Sequence, residues 1–142
     1  MMVRDLVSQL RRDEGECLHA YQDHLGLWTI GVGRLIDPKR GGGITRDESA
    51  YLLANDVAEV RRQVADRLPW TAQLDEARQG ALCNMAFQMG IDGLCGFKTA
   101  LDYLRNGKTD EAASAFLQSL WAKQTPERAK RVTEQIRTGG WV

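Results

Sequence analysis

Between Thr45 and Pro69 the chain holds one helical period without a break, and this stretch constrains most of what 142 residues can become. Thr45, with Glu48 three residues on, reads as a capping box at its start. Leu53, Val57, Val60, Val64 and Leu68 recur on one stripe, and Pro69 stops the run. About two dozen residues at 1.5 Å each make a rod of roughly 35 Å. A chain of this length supports one good core and is too short for two ordinary domains. The rod, about residues 46–68, is therefore read as a connector between two lobes of a single domain spanning 1–142.

The two sides of the rod differ in pattern. On its N-terminal side, Val3, Leu6, Val7 and Leu10 predict an amphipathic helix over about residues 2–13, ended by Gly15. Cys17 to Gln22 and Leu27 to Ile36 are short apolar and aromatic runs separated by Asp23-His24-Leu25-Gly26, which predicts a small antiparallel sheet in a β lobe of about residues 14–45. Asp37 to Gly43, with Pro38 and three glycines, is expected to be a flexible surface loop. It lacks the glycine spacing and Gly-Lys-Ser/Thr ending of a nucleotide loop.

On the C-terminal side, Asp75 is the expected cap of a helix dense in apolar residues (Ala77, Ala81, Leu82, Met85, Ala86, Met89) and ended by Gly90. Short helices between Gly93 and Gly107, one from Asp110 to about Leu120, and a last one capped by Thr125 and closed at Gly139 complete a helical lobe of about residues 69–142, which the N-terminal helix joins. The fold class expected is α+β, mostly helical, with a small antiparallel β lobe joined by a long helix to a helical lobe.

Charge narrows the function. Nineteen basic residues balance nineteen acidic ones, so no global positive field exists to gather nucleic acid. Residues 1–60 carry seven basic and ten acidic side chains, a net of −3, whereas residues 121–142 carry five and two, a net of +3. Cys17, Cys83 and Cys95 form no CxxC pair and are expected to be free, mostly buried thiols. His19 and His24 suit neither a helical zinc motif nor a triad and read as surface residues, so no metal or other cofactor is implied. Arg4, Asp5, Arg11 and Arg12 interrupt the first segment, and no run is long enough for a bilayer span. A monomer made in a reducing compartment is expected.

The chemistry concentrates between Glu14 and Leu35. Cleaving a glycosidic bond takes one carboxyl to protonate the leaving oxygen and a second, ionised, to stabilise positive charge on the sugar or activate water. Glu14 sits in the last turn of the first helix, where the negative end of the dipole favours the protonated form, so it is the expected general acid. Asp23, in a solvated turn, is the expected charged partner. Thr29, on the returning strand, offers a hydroxyl that both donates and accepts, as holding an attacking water requires. Gly31 and Gly33 are placed inside that strand, where they let a bulky ligand approach.

Four segments in order, Asp13-Glu14-Gly15, Thr29-Ile30-Gly31-Val32-Gly33, Phe87-Gln88-Met89-Gly90 and the tail from Gln124-Thr125-Pro126 through Arg128-Ala129-Lys130-Arg131-Val132 to Arg137-Thr138-Gly139, resemble the phage-type lysozymes (endolysins, muramidases), those of T-even bacteriophages in particular. The resemblance runs from the first helix to Trp141. It implies a lysozyme-like fold with its cleft between the lobes. It also implies hydrolysis of the β-1,4 bond between N-acetylmuramic acid and N-acetylglucosamine in bacterial peptidoglycan, with inversion at the anomeric carbon. Glu14 matches the family's general acid, Asp23 its second carboxylate and Thr29 the residue associated with the water. Leu35, Phe87 and Gln88 match sugar-binding positions. Arg128 matches an arginine that pairs with the catalytic glutamate, and Arg131 one that pairs with Asp13.

Where the family usually has histidine after the second glycine, this chain has Arg34, and the family's aspartate partner matches Asp56, so an Arg34–Asp56 ion pair is expected. Two polar cleft positions fall on Ala100 and Ala115, which puts contacts to peptide or sugar substituents in question. The family also implies host cell lysis, with release to the wall through a holin-type partner. The rival reading is a non-catalytic peptidoglycan-binding or virion structural module of the same fold. A nucleic-acid binder built on the basic tail is disfavoured by the zero net charge.

Overall fold

The computed structural model describes residues 3–142, with side chains from residue 5 onward. The expected start of the first helix at residue 2 and the burial of Val3 lie outside the described residues. The chain divides into two compact units, Met1–Tyr51 and Leu52–Val142.

The first unit holds α1 (Val3–Glu14), strands β1 (Cys17–Gln22), β2 (Trp28–Gly31) and β3 (Arg34–Leu35), and the first turns of α2 (Arg46–Arg67). Contacts thus group α1 with the sheet, whereas the sequence pattern assigns it to the helical lobe. The sheet runs β1-β2-β3, antiparallel throughout, and pairs Tyr21 with Thr29, Thr29 with Leu35, and Ile30 with Arg34. The single returning strand expected over 27–36 is in fact two strands with a tight turn at Val32 and Gly33. Gly31 and Gly33 take φ of 69° and 71°, left-handed values that reverse the chain rather than extend it.

The segment after β3 also departs from expectation. Instead of a loose loop, Pro38–Arg40 forms a 3-10 turn capped by Asp37, which is only 7% exposed. The Asp37 carboxylate accepts from the amides of Lys39 at 3.0 Å and Trp28 at 3.5 Å, which ties the turn to the start of β2. The α2 capping box forms as expected: Thr45 N–H donates to Glu48 Oε1 at 2.8 Å, and Glu48 N–H to Thr45 Oγ1 at 3.1 Å.

The second unit holds the rest of α2, then α3 (Glu76–Cys95), α4 (Lys98–Arg105), α5 (Thr109–Leu117), α6 (Leu120–Gln124) and α7 (Pro126–Thr138). Asp75 caps α3 by accepting from Arg78 N–H at 3.0 Å. Gly90, at φ 81°, kinks this helix where the sequence pattern places an end. Leu82, Met85, Leu94, Leu104, Phe116 and Ile136 are fully buried. Phe97 lies 5.2 Å from the Phe116 ring and meets Trp121 edge-on at 6.2 Å.

Three expectations change in this unit. The helix expected from Asp110 to Leu120 ends at Leu117, and a separate α6 begins at Leu120, capped by Ser119. Thr125 does not cap α7 with its side chain; its hydroxyl donates to Trp121 O at 3.0 Å, a carbonyl that also accepts the Thr125 amide at 2.9 Å where α6 ends. Of the α2 stripe, Val64 is buried, whereas Leu53 and Val57 are exposed. The three cysteines are free and half-buried. Among the described residues no helix is long and apolar enough to cross a membrane.

Candidate active site

Glu14, Asp23 and Thr29 all fall in the first unit, each placed by a different local device. Glu14 is the last residue of α1, which closes with Gly15 N–H donating to Arg11 O at 3.0 Å. Its side chain is exposed and lies over the β2–β3 turn. A methyl group built on Gly33 would come within 3.1 Å of Glu14 Oε2 and 3.2 Å of its Cδ. The glycine therefore admits the carboxyl to the hairpin backbone, a role different from the expected approach of ligand.

Asp23 opens the turn between β1 and β2. Its Oδ1 accepts from Leu25 N–H at 2.8 Å and Leu27 N–H at 2.9 Å, and its own amide donates to Leu27 O. The Leu27 amide above all, with the Leu25 amide and the charges of His24 and Arg40 adding to it, holds the carboxyl below the usual aspartate range. It is ionised at neutral pH. Thr29 occupies the central strand between Tyr21 and Leu35 and is 4% exposed. Its Oγ1 donates to Leu27 O at 3.0 Å, which commits the hydroxyl proton and leaves the oxygen as an acceptor. Leu27 thus touches both residues: its amide fixes Asp23 and its carbonyl orients Thr29.

Arg34 follows Gly33 on β3. Its Nη1 lies 2.7 Å from each oxygen of Glu48, so the ion pair expected with Asp56 is made with Glu48 instead. Glu48 stands in the first turn of α2, while Asp56 lies eight residues further along, about 12 Å down the axis. The Arg34 contact, followed by that of the Thr45 amide, pulls the Glu48 carboxyl down to about 2. Asp56 lines a shallow recess with Glu59, Val60, Gln63 and Phe87.

The remaining candidates lie in the second unit. Phe87 is exposed on α3. It lines a largely apolar recess of about 320 Å³ with Leu53, Val57, Asn84, Arg128 and Trp141. Gln88 is occupied: its Oε1 accepts from Trp121 Nε1 at 2.9 Å, which anchors the buried indole. The expected partners of Arg128 and Arg131 are Glu14 and Asp13. The contacts described are Arg128 Nε to Asn84 Oδ1 at 3.0 Å, and Asp13 Oδ1 with its neighbour Arg12 at 3.0 Å. Ala115 lines a groove with Thr99, Tyr103, Asp110 and Glu111, whereas Ala100 is buried. The parts played by Asn84 and Trp121, and the tie of Asp37 to Trp28, are not legible in the sequence, because each acts through a partner distant along the chain. For Glu48 the sequence shows only the cap.

A small antiparallel sheet unit and a unit of helices make up the α+β arrangement of the lysozyme-like glycoside hydrolases. The chain belongs to the phage lysozyme family, whose model matches residues 11–136. It is 37% identical to the pre-baseplate central spike protein Gp5 of Enterobacteria phage T4 over 94% of its own length, and it spans 28% of that protein. It is 32% identical to the probable T4-type lysozyme 1 of Dictyostelium discoideum, covering 97% of this chain and 96% of the relative. To the endolysin of Salmonella phage P22 it is 36% identical, over 82% and 80% of the two chains.

Proposed function

We propose that the protein is an endolysin-type lysozyme that cleaves the β-1,4 bond between N-acetylmuramic acid and N-acetylglucosamine in peptidoglycan by single displacement. Glu14 gives its proton to the glycosidic oxygen as the C–O bond breaks. Asp23, ionised, stabilises the positive charge developing on the sugar, and Thr29 Oγ1 accepts from the water that attacks the opposite face of the ring. The water's second proton passes to solvent, and the products are an inverted sugar with a free reducing end and a new 4-hydroxyl. No cofactor enters this scheme. The observation that carries the reading is that one small unit holds an exposed carboxyl at a helix end, an amide-pinned aspartate and a buried threonine hydroxyl.

Leu35, Phe87 and Gln88 are assigned to the sugar chain, Gln88 through the side of its exposed amide that is not taken by Trp121. The biological role proposed is host lysis by a monomer made in the cytoplasm and released to the wall through a holin-type partner. The similarity to a phage spike protein favours one further reading, the non-catalytic virion structural module of the same fold. Turbidity loss of a wall suspension compared between the parent and Glu14→Gln tests the chemistry. Clearing should fall by at least about a hundredfold, and equal clearing by both would remove Glu14 from the mechanism. Proton NMR of the first product separates inversion from retention, and an anhydro ring in place of a reducing end would indicate a transglycosylase.

A further inference from the structure

Glu48 has two partners that need different things from it. The capping box with Thr45 requires only a side-chain oxygen at this position, and glutamine serves there as well as glutamate. The contact with Arg34 uses the charge: Nη1 sits 2.7 Å from both carboxylate oxygens. Arg34 is the first residue of β3, paired with Ile30, and directly follows Gly33. Gly33 is the residue against which the Glu14 side chain rests, with a built methyl 3.1 Å from Oε2 and 3.4 Å from Cγ. A continuous line of contacts therefore runs from the start of α2 through Glu48, Arg34 and the hairpin turn to the proposed general acid, all within the first unit.

We infer that Glu48 is a positioning residue for Glu14, acting through Arg34 to hold the β2–β3 turn against the Glu14 carboxyl. The inference rests on the reading of Glu14 as general acid. A surface ion pair of this kind contributes little to global stability, but it acts on a hairpin tip whose ladder consists of the Ile30–Arg34 and Thr29–Leu35 pairs. Its strand β3 is two residues long. Displacing a reacting group by a fraction of an ångström is enough to slow turnover.

The test uses the full chain, with soluble uncrosslinked peptidoglycan strands as substrate and the NOE between the Gly33 α protons and the Glu14 γ-methylene as a direct readout of position. Glu48→Gln, which keeps the capping box and removes the charge, and Arg34→Ala should each lose the NOE and lower kcat about tenfold, with KM changed less than twofold. Arg34→Lys should recover most of both. Thr45→Ala, which weakens the cap and leaves the ion pair, should lower the melting temperature while keeping the NOE and kcat. Retention of the NOE in Arg34→Ala, or an equal loss of kcat in Thr45→Ala, would overturn the inference. Loss of the NOE with kcat unchanged would instead overturn the assignment of Glu14, which Glu14→Gln reports independently in the same assay.

Discussion

Replacing Gly33 by alanine perturbs two things that can be separated. The backbone at this position has φ of 71°, a left-handed conformation that costs an ordinary L residue about 1–2 kcal/mol. The new methyl would also stand 3.1 Å from Glu14 Oε2, so the carboxyl must withdraw by about 0.3 Å to reach the 3.4 Å at which ordinary contact begins. If misplacement by 1 Å costs on the order of a hundredfold in rate, log-linear scaling gives about fourfold for this shift, and more if the side chain changes rotamer. Gly31 supplies the control: its φ is 69°, and nothing lies within 4 Å of a methyl built there. Gly31→Ala and Gly33→Ala should therefore lose similar stability, a few degrees in melting temperature at roughly 2–4 °C per kcal/mol for a chain of this size. Only Gly33→Ala should lose kcat on soluble peptidoglycan strands. Equal kcat in the two variants would refute the claim that Gly33 is small in order to admit Glu14.

Three further outcomes are expected. The Glu48 carboxyl is depressed to about 2 in the folded protein from 4.5, so its contribution to stability, small because the pair is exposed, is present above about pH 4.5 and is lost as pH falls toward 2; urea midpoints measured between pH 5 and 2 should fall slightly less steeply in Glu48→Gln than in the parent. Phe116, fully buried against Phe97, should cost about 3–5 kcal/mol when cut to alanine, and a loss under about 1 kcal/mol by urea unfolding would show that its site refills. A methyl at Gly80 would stand 2.4 Å from the Trp141 ring, so Gly80→Ala should displace that indole and change its fluorescence, read against a Trp141→Phe background, without a large loss of stability.

The same physics separates what the residues alone determined from what folding decided. Helix caps and apolar periods act within four residues, so the Thr45–Glu48 box, the Asp75 cap, the extent of β1 and the class of the fold were all legible in the order of residues. The position of Glu14 at the end of α1 was legible too, because Gly15 comes next. What the sequence left open were matters of partner. Arg34 chose Glu48 over Asp56, Gln88 took the Trp121 indole, and Asp37 tied the segment after β3 back to the Trp28 amide at the start of β2. Each is a contact between side chains or amides brought together by a sheet register or helix packing, and a guanidinium or carboxylate will pair with any suitable group within reach. Local pattern sets which groups a segment presents; only the tertiary arrangement sets which of them come within hydrogen-bonding distance.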